Sequence, residues 1–229
     1  MTDQTKKTLE DLSARKLLAE LLGTYVLVLV GGTAILASLG AYQGVDIVLV
    51  AFGFGLALLA GLYAFGEISG GHYNPAVSLA MLLDGRMGFA LMIQYWVAQI
   101  IGAILAGFTL AAATSRDAVG QTATTFGDLE VWEAFVFEAA FTAIFVVVIL
   151  KVTASPAQSS TVFLAISLTL VAIHLALVPI TGASVNPARS LGSGVAGDVW
   201  TDQWVYWVAP LVGAIIGWGV HKAATMDMR

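Results

Sequence analysis

The sequence predicts an all-α membrane protein of six transmembrane helices and two re-entrant half-helices, related to one another as an inverted repeat. Three observations lead there: the chain is too apolar for a soluble domain, its uncharged stretches have bilayer-crossing lengths, and its second half repeats motifs of its first. Of 229 residues, 59% are hydrophobic and 11% charged, outside the usual composition of a soluble domain. A helix needs about 20 mostly apolar residues to cross hydrocarbon. With no water there to satisfy the backbone, a helical bundle is the class that fits such lengths.

Taken in order, residues 1–16 are polar and charged, so they form a cytoplasmic N-terminal segment rather than a secretory signal. Residues 17–229 follow as a single domain, with spans at 17–38, 46–66, 89–113, 131–152, 159–180 and 203–223. Two segments near 74–84 and 186–196 open on Asn-Pro and have about half the length a crossing requires; each is expected to enter the membrane and stop. Positive residues favour the cytoplasmic side. Lys6, Lys7, Arg15, Lys16, Arg86, Lys151, Lys222 and Arg229 all fall on one face, which puts both termini in the cytoplasm. The other face keeps Arg116 and gathers Asp46, Asp117, Asp128, Glu130, Asp198 and Asp202.

The repeat is read from paired motifs. Tyr95-Trp96-Val97-Ala98 with Gly102-Ala103 recurs as Tyr206-Trp207-Val208-Ala209 with Gly213-Ala214, and Ile68-Ser69-Gly70 recurs as Ile180-Thr181-Gly182. Glu20 with Thr24 matches Glu138 with Thr142. Each copy, at about 17–113 and 131–223, holds three spans, an odd number, so the second enters the membrane from the opposite side. Inverted repeats place their functional elements at a shared midplane, often on broken helices whose N-termini face the substrate.

Composition excludes several classes. Cysteine is absent and the net charge is −5, so disulfides, thiolate metal sites, Cys nucleophiles and a basic nucleic-acid surface are ruled out. His72, His174 and His221 lie in separate elements, with no nucleophile–base pair or metal cluster, so neither an enzyme nor a cofactor is expected. What remains is Asn74-Pro75-Ala76 and Asn186-Pro187-Ala188. Asn is a favoured N-cap, and Pro at the next position gives up an N–H that has no helical partner. One such turn would be an ordinary cap; two at matching repeat positions, holding the only asparagines in the chain, point to a shared function.

On these motifs the chain resembles the major intrinsic protein family, the aquaporins and glycerol facilitators, over essentially its whole length. The resemblance implies a channel whose half-helices meet end to end, with Asn74 and Asn186 donating to a passing water and two positive helix ends repelling cations and protons; short termini and the absence of cysteine suit a prokaryotic plasma membrane. Counting from the boxes, it implies an outer constriction of Phe54, His174, Ala183 and Arg189. As plain alternatives, Arg189 could cap a loop and His174 could be a satisfied core residue. His narrows the pore where glycerol channels carry a smaller residue; Ser190, in place of an Asp found in glycerol facilitators, and the aromatic pair Tyr206-Trp207 also favour water. Ala183 departs from the Cys or Thr common in water channels and leaves a small-solute leak open.

The resemblance further implies that Glu20 and Glu138 brace the re-entrant loops, although intramembrane carboxylates also suit proton relay or a coupled transporter. His72 is placed near the cytoplasmic pore wall, paired with Glu20. Glu67 either tunes that mouth or is a solvated helix end. Small residues such as Gly102 with Ala106 and Gly213 with Gly217 account for close helix packing. The implied partners are water as permeant, the bilayer, and three further copies in a homotetramer. Passive water conduction is the main expectation, with facilitation of glycerol or another small neutral solute as the alternative.

Overall fold

The computed structural model describes residues 3–42, 46–154 and 160–225, which form helices and connecting turns, with no strand among them. The side chains of Lys6 and Lys7, and residue Arg229, counted above toward the charge asymmetry, lie outside the described part. The first helix, α1 (Asp3–Tyr42), is longer than the expected 17–38. The polar N-terminal stretch continues the same helix, being built from good helix formers such as Leu, Glu, Lys and Ala.

The second span starts as α2 (Ile47–Gly61), capped by Asp46, whose carboxylate accepts from Leu49 N. It then passes through a π-helical turn (Leu62–Gly66) into a last turn, α3 (Glu67–Ser69), three residues beyond the expected end. The widened turn has a neighbour that accounts for it: Tyr73 OH donates to Gly61 O at 2.9 Å, an inserted partner of the kind that disturbs a helical ladder. The half-helix α4 (Pro75–Leu83) follows, and then α5 (Phe89–Ala113), on the expected bounds. A short α6 (Arg116–Gly120), not anticipated, precedes α7 (Val131–Val152), again on the expected bounds. The chain closes with α8 (Ser160–Thr181), the second half-helix α9 (Pro187–Gly197) and α10 (Val205–Thr225).

Five of the described helices are long and apolar enough to cross a membrane. The sixth, α10, is 21 residues long but falls below that mark, diluted by Pro210, Gly213, Gly217, Gly219, His221 and Lys222.

Packing follows the repeat. α1 lies on α5 as α7 lies on α10, α1 on α2 as α7 on α8, and α2 meets α8 across the pseudo-twofold. Each half-helix crosses over: α4 packs on α10 and α9 on α5, the last span of the other repeat. These approaches are close enough to demand glycine. A Cβ on Gly102 would stand 2.2 Å from Leu21 O, and one on Gly213 would stand 2.3 Å from Ala139 O.

The start of α1 and the end of α10 lie at one end of the bundle, the terminal face, where Lys222 pairs with Asp84 and Arg86 reaches Thr153. The lateral surface exposes large apolar side chains, among them Leu56, Phe108 and Ile144, which suits lipid. Trp132, Trp200 and Trp204 stand exposed toward the opposite end, as residues that favour the membrane–water boundary do.

Candidate functional site

The two re-entrant loops are built by two buried carboxylates. Glu20 Oε1 accepts from Ser69 Oγ (2.6 Å) and His72 N (2.9 Å), and its Oε2 accepts from Tyr73 N (2.7 Å) and Gln99 Nε2 (2.8 Å). Glu138 repeats the pattern with Thr181 Oγ1 (2.6 Å), Ser184 N (2.9 Å) and Val185 N (2.8 Å). A carboxylate offers about four lone-pair sites, and these donors occupy most of them. The loops need such bracing because Tyr73 and Val185 sit in the left-handed region at φ 48 and 43, which non-glycine residues rarely adopt. Tyr95 OH and Tyr206 OH complete the frame by donating to Ser69 O and Thr181 O.

His72 requires a correction. Its ring does not pair with Glu20, which takes only its backbone N–H; the ring Nδ1 lies 3.0 Å from Ser78 Oγ, which also accepts from Gln99 Nε2.

Braced in this way, the loops bring two helix starts together. Asn74 Oδ1 accepts from Ala76 N, and Asn186 Oδ1 accepts from Ala188 N and Arg189 N, as N-caps do. Their amides cross over: Asn74 Nδ2 donates to Val185 O (2.7 Å) and Asn186 Nδ2 to Tyr73 O (2.9 Å). Each amide carries two hydrogens, so one on each remains for a guest. Pro75 and Pro187 open the helices, and Ala76 and Ala188 are fully buried against the junction.

Both asparagines line a narrow cavity that runs from Thr153 and Gly70 near the terminal face to Phe54, His174 and Arg189. Its lining combines apolar side chains, with Leu27, Leu58, Val77, Phe145, Ile149 and Ile166, and the loop residues Gly70, Gly71, His72, Ser184 and Val185 with the two asparagines. A small molecule crossing it would therefore find hydrogen-bond partners in a single file and nothing to hold it elsewhere.

At the far end Phe54 and His174 stack with centroids 4.6 Å apart, and Arg189 Cζ lies 4.9 Å from the Phe54 ring. His174 Nδ1 lies 3.0 Å from Leu170 O. A carbonyl can only accept, so that nitrogen carries the proton and Nε2 is left as a bare acceptor. Arg189 Nη1 donates to Thr122 O (3.0 Å), while Arg189 Nε and His174 Nε2 have no partner among the described residues. Two buried, unmet polar atoms beside one cavity end are costly unless a guest meets them.

Ala183 is fully buried at a left-handed bend (φ 49), directly before Ser184 and Val185, which line the cavity. Ser190 is buried away from the cavity, where it donates to Ser184 Oγ at 2.6 Å. Tyr206 braces the loop frame and Trp207 is exposed, so neither wets the cavity. Glu67 is exposed, in a surface groove with Arg15 and Lys16 rather than at the cavity mouth.

The terminal mouth is tied by charge. Asp84 meets Arg86 Nε at 2.6 Å and Lys222 Nζ at 2.7 Å, while Arg86 Nη1 and Nη2 reach Thr153 Oγ1 and Leu150 O. Burial pushes the Asp84 carboxyl up, but Lys222 and Arg86 outweigh it and hold it below the usual carboxylate range. Sequence reasoning passed over Gln99, although an amide in an apolar span is a signal. It also passed over Thr122, whose contribution is a backbone carbonyl and leaves no trace in residue type.

The family model for the major intrinsic proteins matches residues 7–221. An Aquaporin Z of Photorhabdus laumondii is 41% identical over 223 residues, covering 91% of this chain and 96% of that one. Glycerol uptake facilitator protein-like 6 of Lactiplantibacillus plantarum is 40% identical over 210 residues, covering 88% and 94%. The X-ray structure of the aquaglyceroporin from Plasmodium falciparum matches with a TM-score of 0.85 and 24% identity, over 94% of this chain and 98% of that one; it bears on the fold alone.

Proposed function

Because the chain belongs to the major intrinsic protein family, we propose that it is a passive transmembrane water channel that excludes ions and protons. The observation that carries this reading is the junction of the half-helices, where Asn74 and Asn186 each keep one amide hydrogen for the cavity after bonding the opposite loop. A central water accepts from both, with its oxygen toward the positive ends of α4 and α9. Its own hydrogens then point outward along the file in both directions, so it cannot pass a proton on, and a cation meets two positive helix ends.

Phe54, His174 and Arg189 set the size limit. The Phe54 face is taken up by His174 and Arg189, so no apolar surface is left for a carbon backbone. His174 Nε2 and the free Arg189 N–H instead supply an acceptor and a donor suited to water. Ala183, on the loop next to Ser184, belongs to the same constriction, and its small side chain leaves room there for a small neutral solute. In this reading Glu20, Glu138 and His72 support the loops, and residues 17–229 form one channel domain with repeats at about 17–113 and 131–223. The terminal face is cytoplasmic, the membrane is the plasma membrane, and the chain assembles as a homotetramer with one pore per subunit.

The second reading, glycerol facilitation, draws on the likeness to the Lactiplantibacillus plantarum protein, whose name carries that substrate. Stopped-flow light scattering on proteoliposomes separates the two. Fast, low-barrier water flux with little glycerol flux and no proton conductance is expected. Water flux no greater than that of empty vesicles refutes the first reading, and glycerol flux keeping pace with water establishes the second.

A further inference from the structure

We propose that Thr124, in the surface loop between α6 and α7, is a positioning residue for the solute cut-off, acting through a chain of hydroxyls that ends on the cavity wall. Thr124 Oγ1 donates to Ser190 Oγ (2.9 Å), Ser190 Oγ to Ser184 Oγ (2.6 Å), and Ser184 Oγ to Asn186 O (3.1 Å). All three side chains are buried. A hydroxyl has one proton, so the chain runs in one direction and each member is committed. Ser190 lies in the first turn of α9, four residues after Asn186, where a serine can turn back to the i−4 carbonyl. The hydrogen bond from Thr124 helps to hold Ser190 on Ser184 instead.

The same loop is fastened at three further points. Thr122 O accepts from Arg189 Nη1 (3.0 Å), Thr124 O accepts from Gln203 Nε2 (3.3 Å), and Thr124 Cα is 3.2 Å from where a Cβ on Gly182 would stand. Ser184 and Arg189, both on the cavity, are thus referred to one short segment, which sets how far the loop wall stands from the guanidinium. The first repeat has the same arrangement with a different third member. His72 and Ser78 stand where Ser184 and Ser190 stand, but their partner is Gln99, held within the span α5. On the far side that part falls to a loop, so the constriction there is adjusted from outside the membrane helices.

This inference rests on the channel reading, and the test keeps the two apart. Water and glycerol permeabilities are measured per reconstituted channel for the wild type, Thr124→Val, Thr124→Ser and Ser190→Ala. Thr124→Val removes the donor and keeps the shape. Its water-to-glycerol ratio is expected to fall about fivefold, the worth of one hydrogen bond, with Thr124→Ser restoring it. Because both act on one chain, Thr124→Val added to Ser190→Ala is expected to lower the ratio no further than Ser190→Ala alone.

A purely structural role would lower yield or thermal midpoint and leave the ratio unmoved. A Thr124→Val channel with the wild-type ratio overturns the proposal, as does a Thr124→Ser channel as leaky as the valine variant. Should Thr124→Val fail to assemble, Ser190→Ala with an unchanged ratio overturns it equally. A wild type that conducts no water removes the channel reading and the inference with it; a conducting wild type with unmoved variants removes the inference alone.

Discussion

In the proposed channel, His174 serves both packing and selection. One ring nitrogen is tied to its own helix at Leu170 O, one face is stacked on Phe54, and the remaining nitrogen is left for the guest. Replacing it with glycine frees the Phe54 face and opens the gap toward Arg189. His174→Gly is therefore expected to raise glycerol flux relative to water on the order of tenfold, read by parallel stopped-flow assays; unchanged exclusion counts against this constriction. Asn186 is the other instructive residue, since it caps α9 and satisfies Tyr73 O in the opposite repeat. Asn186→Ala loses the cap, about 1 kcal/mol, and leaves a buried carbonyl unmet, about 1–3 kcal/mol more. A lowered thermal midpoint in detergent checks it.

At the scale of elements, the re-entrant loops depend on side chains that accept through both oxygens. Glu138→Gln keeps one acceptor but turns an amide toward either Val185 N or Ser184 N, each now facing a donor. The expected loss is about 2–3 kcal/mol, together with reduced water flux. A coupled transporter makes a different prediction: the glutamine variant would fold normally and lose only gradient-driven uptake. Contact between spans is tested by glycine. Gly102→Ala forces a methyl onto Leu21 O and is expected to destabilise by about 1–3 kcal/mol. Gly219→Ala, with nothing within 4 Å, is expected to be neutral or slightly stabilising; equal thermal midpoints for the two would contradict the close approach of α1 and α5.

For the molecule as a whole, the terminal mouth links stability to pH. The Asp84 carboxyl is held below its unfolded range, so its stabilising effect is present above that range and is lost as pH falls through the lowered folded value. Thermal midpoints taken down to about pH 3 should therefore fall more steeply for the wild type than for Asp84→Asn.

The architecture was largely legible because bilayer length and repeated motifs leave marks in residue type: α5 and α7 end where apolar runs meet polar turns. The start of α1 was less legible, since a polar stretch can continue a helix into water. The candidate site was legible where a side chain itself lines the cavity, as with Asn74, Asn186, His174 and Arg189. It was hidden where the partner is a carbonyl, as at Thr122, or where a hydroxyl acts two bonds away from the cavity, as at Thr124.

The crossing of the half-helices also bears on how such a chain is made. The amide of Asn74 ends on Val185, 111 residues downstream, and α4 packs on α10 as well as on its neighbour α5. While the ribosome is still translating the second repeat, the segment Pro75–Leu83 has its local cap and α5 but lacks the crossed bond and half of its seat. The first half-helix is therefore completed only once the second repeat has been made.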